Sequence, residues 1–341
     1  MVFRARAPVR ISFAGGGTDV PPFPSREGGL VLNATINRYA YGTLLPRADD
    51  QVHIESLDVG ASADFGVDEN PIFDGKLDLA KAAVRRVGDG NGQGFSLLLQ
   101  SSVPPGSGLG LSSTMMVALI GLLKEFRSLS LSDYQIAELA YRIERRELGI
   151  SGGFQDQYAA AFGGFNFIEL TGERVVVNPL RIDPDVVLEL EHNLLLCYTG
   201  KRRDSQNIID DQTARLAHQE EDTVEGLRAQ KRLALEMKNA LLRRELGDFA
   251  ELLDEAWETK KQMSPQISTD LIEDLYDEAR RAGALGGKVT GAGGGGYLIV
   301  YCAEGRRHTV AEALTRAGGT VTDFAFVDDG LRTWRVDGRG G

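Results

Sequence analysis

Residues 104–126 read PPGSGLGLSSTMMVALIGLLKEF, a proline-flanked glycine loop that runs straight into an amphipathic helix. The helix is predicted from Met115, Leu119, Leu122, Leu123 and Phe126, which recur at intervals of three and four. Gly106, Gly108 and Gly110 let the backbone approach a ligand closely. The first turn of the new helix adds unpaired N–H groups and a positive dipole end, so an anion such as phosphate suits the position. Ser112, Ser113 and Thr114 either cap this helix or place a hydroxyl on a magnesium ion. No Gly-x-x-x-x-Gly-Lys-Ser/Thr occurs anywhere in the chain, which excludes the P-loop architecture.

Before this loop, residues 8–14, 29–45, 51–57 and 95–101 alternate apolar and polar residues as strands do. After it, the pattern predicts a second helix over 132–147 and strands at 163–170, 174–180 and 188–200. A long, charged helical stretch follows over 204–261, then a strand region at 288–302, a helix at 306–317 and a strand at 320–327. The tail DGRGG reads as disordered. The first half's motifs end near residue 175, which places the domain boundary there and gives domains at 1–175 and 176–341.

Two further glycine clusters stand out. FAGGGTDVPPF at 13–23 sets Thr18 and Asp19 beside three glycines, where the aspartate either shapes a turn or holds a substrate. GAGGGG at 291–296 fits Gly-x-Gly-x-x-Gly, but the YLIVYC after it is a strand where a dinucleotide fold needs a helix. It reads instead as a tight turn or a loop brought close to a ligand. Between them, Glu144 and Asp156 flank the Gly152-Gly153 break in IERRELGISGGFQDQYAAAFGG. Both acids could be ordinary surface charges; if they act, one carboxylate suits magnesium and the other a hydroxyl proton.

The composition narrows the partners. A length of 341 residues suggests two domains, and 42% hydrophobic with 26% charged residues is ordinary for a globular protein. A net charge of −11 with no basic run excludes nucleic acid as the expected partner. The longest apolar run, MMVALIGLL at 115–123, is too short to span a bilayer, and the N-terminus has no signal-peptide core. No membrane partner is expected, and a cytoplasmic location follows, with Cys197 and Cys302 as core residues. The four histidines lack metal-ligand spacing, and no GxSxG elbow occurs.

Taken together, PVRISFAGGGTD, PPGSGLGLSST, GGFQDQYAAAFGG and KVTGAGGGG resemble the ordered signature of the GHMP kinases, named for galactokinase, homoserine kinase, mevalonate kinase and phosphomevalonate kinase. The motifs span residues 8 to 296, nearly the whole chain. AGGGTD, QDQYAAAFGG and YTGKRRDSQNI look most like the heptose 7-phosphate kinase branch, which phosphorylates an anomeric hydroxyl. The resemblance implies an α+β fold: an N-terminal domain with a left-handed βαβ crossover and a C-terminal ferredoxin-like domain. It implies ATP and Mg²⁺ as cofactors and a small sugar or sugar phosphate as substrate, in a monomer or homodimer.

Carried onto this sequence, the resemblance gives Pro105, Gly106, Ser107, Gly108, Leu109, Gly110, Ser112 and Ser113 to the nucleotide. Ser112 and Glu144 would hold Mg²⁺, with Ser113 as the competing choice because Leu111 stands where many relatives have a serine. Asp156 would be the catalytic acid-base residue, with Arg10 beside it to stabilise transferring charge. Gly16, Gly17, Thr18, Asp19, Gly152, Gly153, Gln155, Gly293 and Gly294 would surround the substrate. Arg203, with Lys201 and Arg202, would bind a phosphate that the substrate already carries; all three could equally be solvated. The alternatives are a kinase for a hexose or 6-deoxy sugar, a non-catalytic sugar- or nucleotide-binding protein, and, more distantly, a nicotinamide-dependent enzyme.

Overall fold

The computed structural model describes residues 1–88, 92–200 and 205–337. Two long strands, β1 (Val2–Ala14) and β2 (Gly29–Pro46), form the spine of an eight-stranded sheet. Between them lies a short helix, α1 (Phe23–Glu27). The first residues of β1 alternate between buried and accessible, whereas Ala7 to Ala14 are all buried. That second half is covered on both faces, so even its polar residues Arg10 and Ser12 are buried. It is also the half that carries Arg10.

Around this spine come β3 (Gln51–Ser56), β4 (Ala61–Gly66), α2 (Asp78–Val87), β5 (Phe95–Ser101) and α3 (Leu111–Arg127). The sheet order is β12-β1-β2-β5-β3-β4, and the pairing of β3 with β5 is parallel, bridged through β4 and α2. α4 (Asp133–Tyr141) starts in a capping box between Ser132 and Gln135, then passes into a π-helical turn at Arg142–Glu147. The predicted helix at 132–147 is therefore two kinds of helix, and π turns frequently mark functional sites. α5 (Gln155–Phe162), β6 (Phe165–Thr171) and β7 (Arg174–Pro179) follow, with β6 paired to the first half of β2.

The remainder contains α6 (Pro184–Asn193), β8 (Leu194–Tyr198), α7 (Ser205–Ala217), α8 (Glu221–Leu242), α9 (Leu246–Gln262) and α10 (Asp270–Ala282). It continues with β9 (Ala284–Val289), β10 (Tyr297–Cys302), α11 (Arg307–Arg316), β11 (Thr320–Thr322) and β12 (Arg332–Val336). Its sheet runs β11-β8-β10-β9, all antiparallel. Numbered from β8, that is the order 4-1-3-2 of a ferredoxin-like unit, β-α-β-β-α-β along the chain, with α7 to α10 filling the first crossover. Across the seam, Val9, Ile11 and Phe13 of β1 pack with Leu233 and Met237 of α8, Phe249 and Leu253 of α9, and Ile299 of β10. Phe13 is fully buried, which stabilises the fold by about 1.5–3 kcal/mol.

Three sequence expectations change. The region 188–193 is helical, because Asp183 caps α6 through the Asp185 N–H and Pro184 fixes its first turn. The expected helical stretch is, over the described residues 205–261, three helices, broken where Gln219 and Arg244 take left-handed backbone. The strand expected at 320–327 is cut short after Thr322, and Phe326 forms an isolated bridge with Ile36. The elements α1, β4, α2, α5, α10 and β12 went unread: β4 and β12 are short, largely accessible edge strands. No helix among the described residues is long and apolar enough to cross a membrane.

Candidate active site

The three glycine loops meet. Arg10 of β1 donates its backbone N–H to Leu109 O (3.1 Å) and a guanidinium N–H to Gly108 O (2.8 Å). The Thr290 hydroxyl also donates to Gly108 O (3.2 Å), and the Tyr297 N–H reaches Ser107 O (3.1 Å). These bonds lock the loop before α3 between β1 and the turn joining β9 to β10. The result is a cavity of about 330 Å³ bordered by all three loops, the Gly152-Gly153 break and α9.

At its centre Arg10 holds Asp156, with Nε–Oδ1 at 2.8 Å and Nη2–Oδ1 at 2.7 Å. Both contacts fall on one oxygen, so Oδ2 accepts no hydrogen bond from the described residues. Gly110 is the reason the carboxylate can sit there: its φ is +77°, and a Cβ would stand 3.0 Å from the Asp156 carboxyl carbon. The phosphate-cradle loop and the acid are thus in direct contact.

On the other side of the α3 N-terminus, the Ser112 hydroxyl donates to Glu144 Oε1 at 3.0 Å. Gln157 Nε2 donates to Glu144 Oε2 at 2.6 Å and to Ser113 Oγ at 3.0 Å. Ser113 also accepts from Arg145 (3.2 Å), so of the two serines Ser112 is the one paired with the acid. Glu144 is fully buried, and no lysine or arginine of the described residues lies within ion-pair distance of it. A buried carboxylate without a cation is costly. A hydroxyl and a carboxylate facing each other are hard oxygen donors of the kind Mg²⁺ takes alongside phosphate and water, so the residues fit that ion.

The remaining expected residues divide. Gly16, Gly17, Asp19, Gly152, Gly153 and Gln155 border the cavity. Asp19 accepts from the N–H groups of Gly17 (3.1 Å) and Gln155 (3.0 Å). Burial raises its carboxyl above the usual range, the Gln155 bond pulls it back, and the Asp156 charge raises it again. Thr18 lies outside the cavity lining: its hydroxyl ties Gly15 O (2.7 Å) to Leu30 O (2.9 Å). Gly291 and Ala292 border the cavity, while Gly293 and Gly294 turn to Ile267, whose carbonyl takes the Gly294 N–H at 2.7 Å. Leu109 is wholly buried in the core and contributes its carbonyl. Lys201, Arg202 and Arg203 lie outside the described residues; the first described residues after them, Ser205 and Gln206, border the cavity.

Sequence reasoning missed two lysines. Lys260 of α9 is 3% exposed, borders the cavity, and donates to Gly291 O. Lys288 of β9 is 1% exposed and donates to Phe13 O at 2.7 Å. Burial pulls Lys260 down from 10.5 to about 7, assisted by the Arg10 charge and opposed by Asp19. Lys288 is pulled well below its ordinary value by burial, then by Lys260 and Arg10. The signal for Lys260 was its register: Phe249, Leu253, Ala256, Trp257 and then Lys260 continue one buried stripe.

This has a measurable consequence for stability. Between pH 7 and 10.5 the unfolded chain carries a proton on Lys260 that the folded chain lacks, so stability rises with pH across that window. Below pH 7 the folded chain must carry the buried charge, and the cost is fully present. Lys260→Met is therefore expected to gain on the wild type as pH falls from about 9 to 6, by ~3 °C or more in Tm. Parallel Tm curves for the two proteins would show that the amine stays charged on folding.

A second cavity, about 890 Å³, opens beside the first and shares Gly106, Leu111, Ser112 and Ile150 with it. Leu77, Leu79, Leu99, Met115 and Leu119 give it apolar walls, with Asp58, Ser62 and Lys76 at its border. A flat apolar ring with polar edges suits such a slot.

Comparison with known proteins identifies the family. Residues 78–164 match the GHMP kinases N terminal domain, and residues 237–320 match the GHMP kinases C terminal domain. The chain is 40% identical over 337 residues to the D-glycero-alpha-D-manno-heptose 7-phosphate kinase of Campylobacter jejuni, covering 98% of this chain and 99% of that one. The solved structure of a D-glycero-D-manno-heptose 1-phosphate kinase from Bacteroides thetaiotaomicron superposes with a TM-score of 0.82 at 37% identity, covering 98% of this chain and 100% of that one. A putative sugar kinase from Campylobacter jejuni superposes with a TM-score of 0.81 at 39% identity, covering 98% of each.

Proposed function

The chain belongs to the GHMP kinases, and from that premise we propose that it transfers the γ-phosphoryl group of ATP to the anomeric hydroxyl of D-glycero-D-manno-heptose 7-phosphate. The observation that carries the reading is Asp156, held by Arg10 through one oxygen with the other left open, in contact with a glycine loop at a helix N-terminus. Oδ2 takes the proton as the sugar oxygen attacks phosphorus; the O–P bond forms, the bond to the β-phosphate breaks, and ADP leaves. Arg10 keeps the carboxylate oriented and supplies positive charge beside the transferring group. The α3 N-terminus and the amides of the 106–112 loop hold the β- and γ-phosphates, and the apolar slot takes the adenine.

Ser112 and Glu144 would hold Mg²⁺. When bound, the ion supplies charge neutralisation for the nucleotide phosphates. On the substrate side, Asp19 and the N–H groups around Gly16, Gly17 and Gly153 receive sugar hydroxyls. Lys201, Arg202 and Arg203, which shortly precede the cavity residues Ser205 and Gln206 in sequence, take the substrate's own phosphate. A cytoplasmic site, where ATP is at hand, fits this reaction, and its product would be a sugar 1,7-bisphosphate for nucleotide-activated heptose.

A coupled ADP-release assay tests the substrate. Heptose 7-phosphate is expected to exceed free hexoses, 6-deoxy sugars and mevalonate in kcat/KM by ~100-fold or more, because a ligand without its own phosphate forgoes the charge-assisted bonds that the phosphate makes. Heptose 1-phosphate has no free anomeric hydroxyl, so turnover with it would overturn the site of transfer. Preference for an unphosphorylated sugar would overturn the substrate while leaving the chemistry.

A further inference from the structure

The π turn RIERRE at 142–147 contains three arginines, and they are not used alike. Arg142 pairs with Glu138 (2.9 Å) and Arg146 with Glu173 (2.5 Å), both on the surface. Arg145 borders the catalytic cavity, and no carboxylate of the described residues lies within ion-pair distance of it. Its guanidinium is poorly satisfied. One nitrogen donates to Ser113 Oγ at 3.2 Å, another reaches Ile150 O and Ser151 O only at 3.4 and 3.5 Å, and Nε is buried without a partner.

The position is built for it. A Cβ on Gly152 would lie 2.4 Å from the Arg145 guanidinium carbon and 2.6 Å from Nη2, so a larger residue there would displace that group from its present place. A Cβ on Gly153 would lie 2.0 Å from Asp19 Oδ2. The Gly-Gly break thus admits a cation at one residue and the substrate-side carboxylate at the next. The cation's end is the one beside Ser113 and the Ser112–Glu144 pair, at the N-terminus of α3.

We propose that Arg145 is a second catalytic cation that grips the terminal phosphoryl group of the bound nucleotide, across from Arg10. A guanidinium with spare, planar donors matches a phosphoryl group's several oxygens. A charge held beside the transferring group strengthens as negative charge redistributes in the transition state. The inference rests on the kinase reading above. It adds to that reading a cation on the metal side of the cavity, in a role separate from the one proposed for Lys201, Arg202 and Arg203.

The test compares Mg²⁺-ADP with a non-hydrolysable Mg²⁺-ATP analogue, both titrated calorimetrically without sugar into wild type and Arg145→Met. The variant is expected to lose ~10-fold or more in affinity for the ATP analogue while ADP changes by less than ~3-fold, with kcat down by ~100-fold or more. Added guanidinium is expected to restore part of the turnover of Arg145→Ala, which a packing role for the side chain would not allow. Equal losses for ADP and the ATP analogue would overturn the proposal in favour of a structural role. Unchanged nucleotide binding with a raised KM for the sugar phosphate would overturn it in favour of the substrate's phosphate. Should the wild type phosphorylate no sugar, the reaction assignment falls, and the ADP-to-ATP comparison still decides what Arg145 binds.

Discussion

Asp156→Asn is expected to lower kcat by about 10³-fold while nucleotide affinity stays within a few-fold of wild type. Asparagine keeps the shape and one acceptor for Arg10, but it cannot take the hydroxyl proton at the position of Oδ2. The variant also leaves Arg10, whose side chain is 4% exposed, without its counterion. Some stability goes with it, since removing one partner of a buried pair costs about 3–5 kcal/mol at the extreme. Two features temper that loss: Asp156 is 20% exposed, and Gly108 O still accepts from Arg10 at 2.8 Å. The measurement is steady-state ADP release together with calorimetric nucleotide binding, at a temperature where circular dichroism shows both proteins folded. Near-normal turnover in the variant would remove Asp156 from the chemistry.

Glu144→Gln is expected to move activity and stability in opposite directions. The amide can still accept from Gln157 and meet Ser112, so the buried hydrogen bonds survive while a buried, cation-free carboxylate disappears. Thermal stability should hold or rise, as it commonly does when an unpaired buried charge becomes neutral. Turnover should fall by about 100-fold, with the Mg²⁺ concentration for half-maximal activity raised by ~10-fold, because the ion loses its one charged protein ligand. A Mg²⁺ titration superimposable on that of the wild type would show that the ion binds without Glu144. The pairing of the two responses matters, since a variant that merely unfolds would lose both.

Much of the fold could be read in advance, because β1, β2, β5 and α3 carry strong periodicity and the glycine clusters mark where strands give way to ligand-facing turns. The three-helix subdivision of 204–261 escaped, since Gln219 and Arg244 make left-handed turns without the glycine that usually announces them. At the site, the acids and glycines were visible as local words in the sequence. The partnership of Arg10 with Asp156, 146 residues apart, was legible only through family resemblance. Motif reading also cannot say which way a backbone faces, and so Gly293, Gly294 and Thr18 were grouped with neighbours that do border the cavity. Lys260 and Lys288 stayed hidden because lysine in a charged helix or a short strand is ordinarily solvated. Only its place in a buried stripe distinguishes Lys260, while Lys288 sits in a run of consecutive buried residues in β9.

The pairing of β12 with β1, Val2 opposite Val336 and Arg6 opposite Arg332, bears on how the chain is made. Synthesis delivers β12 long after β1, with the whole second sheet between them, so the growing polypeptide carries one border of its main sheet open in the meantime. Until the final strand arrives, the backbone donors and acceptors of residues 2–6 on that side can pair with any extended segment nearby. The strand that carries Arg10 thus waits for the whole of the second sheet to be translated before its own border is closed. Chaperone demand and losses to aggregation during expression should therefore respond to changes at 332–336, far from any reacting atom.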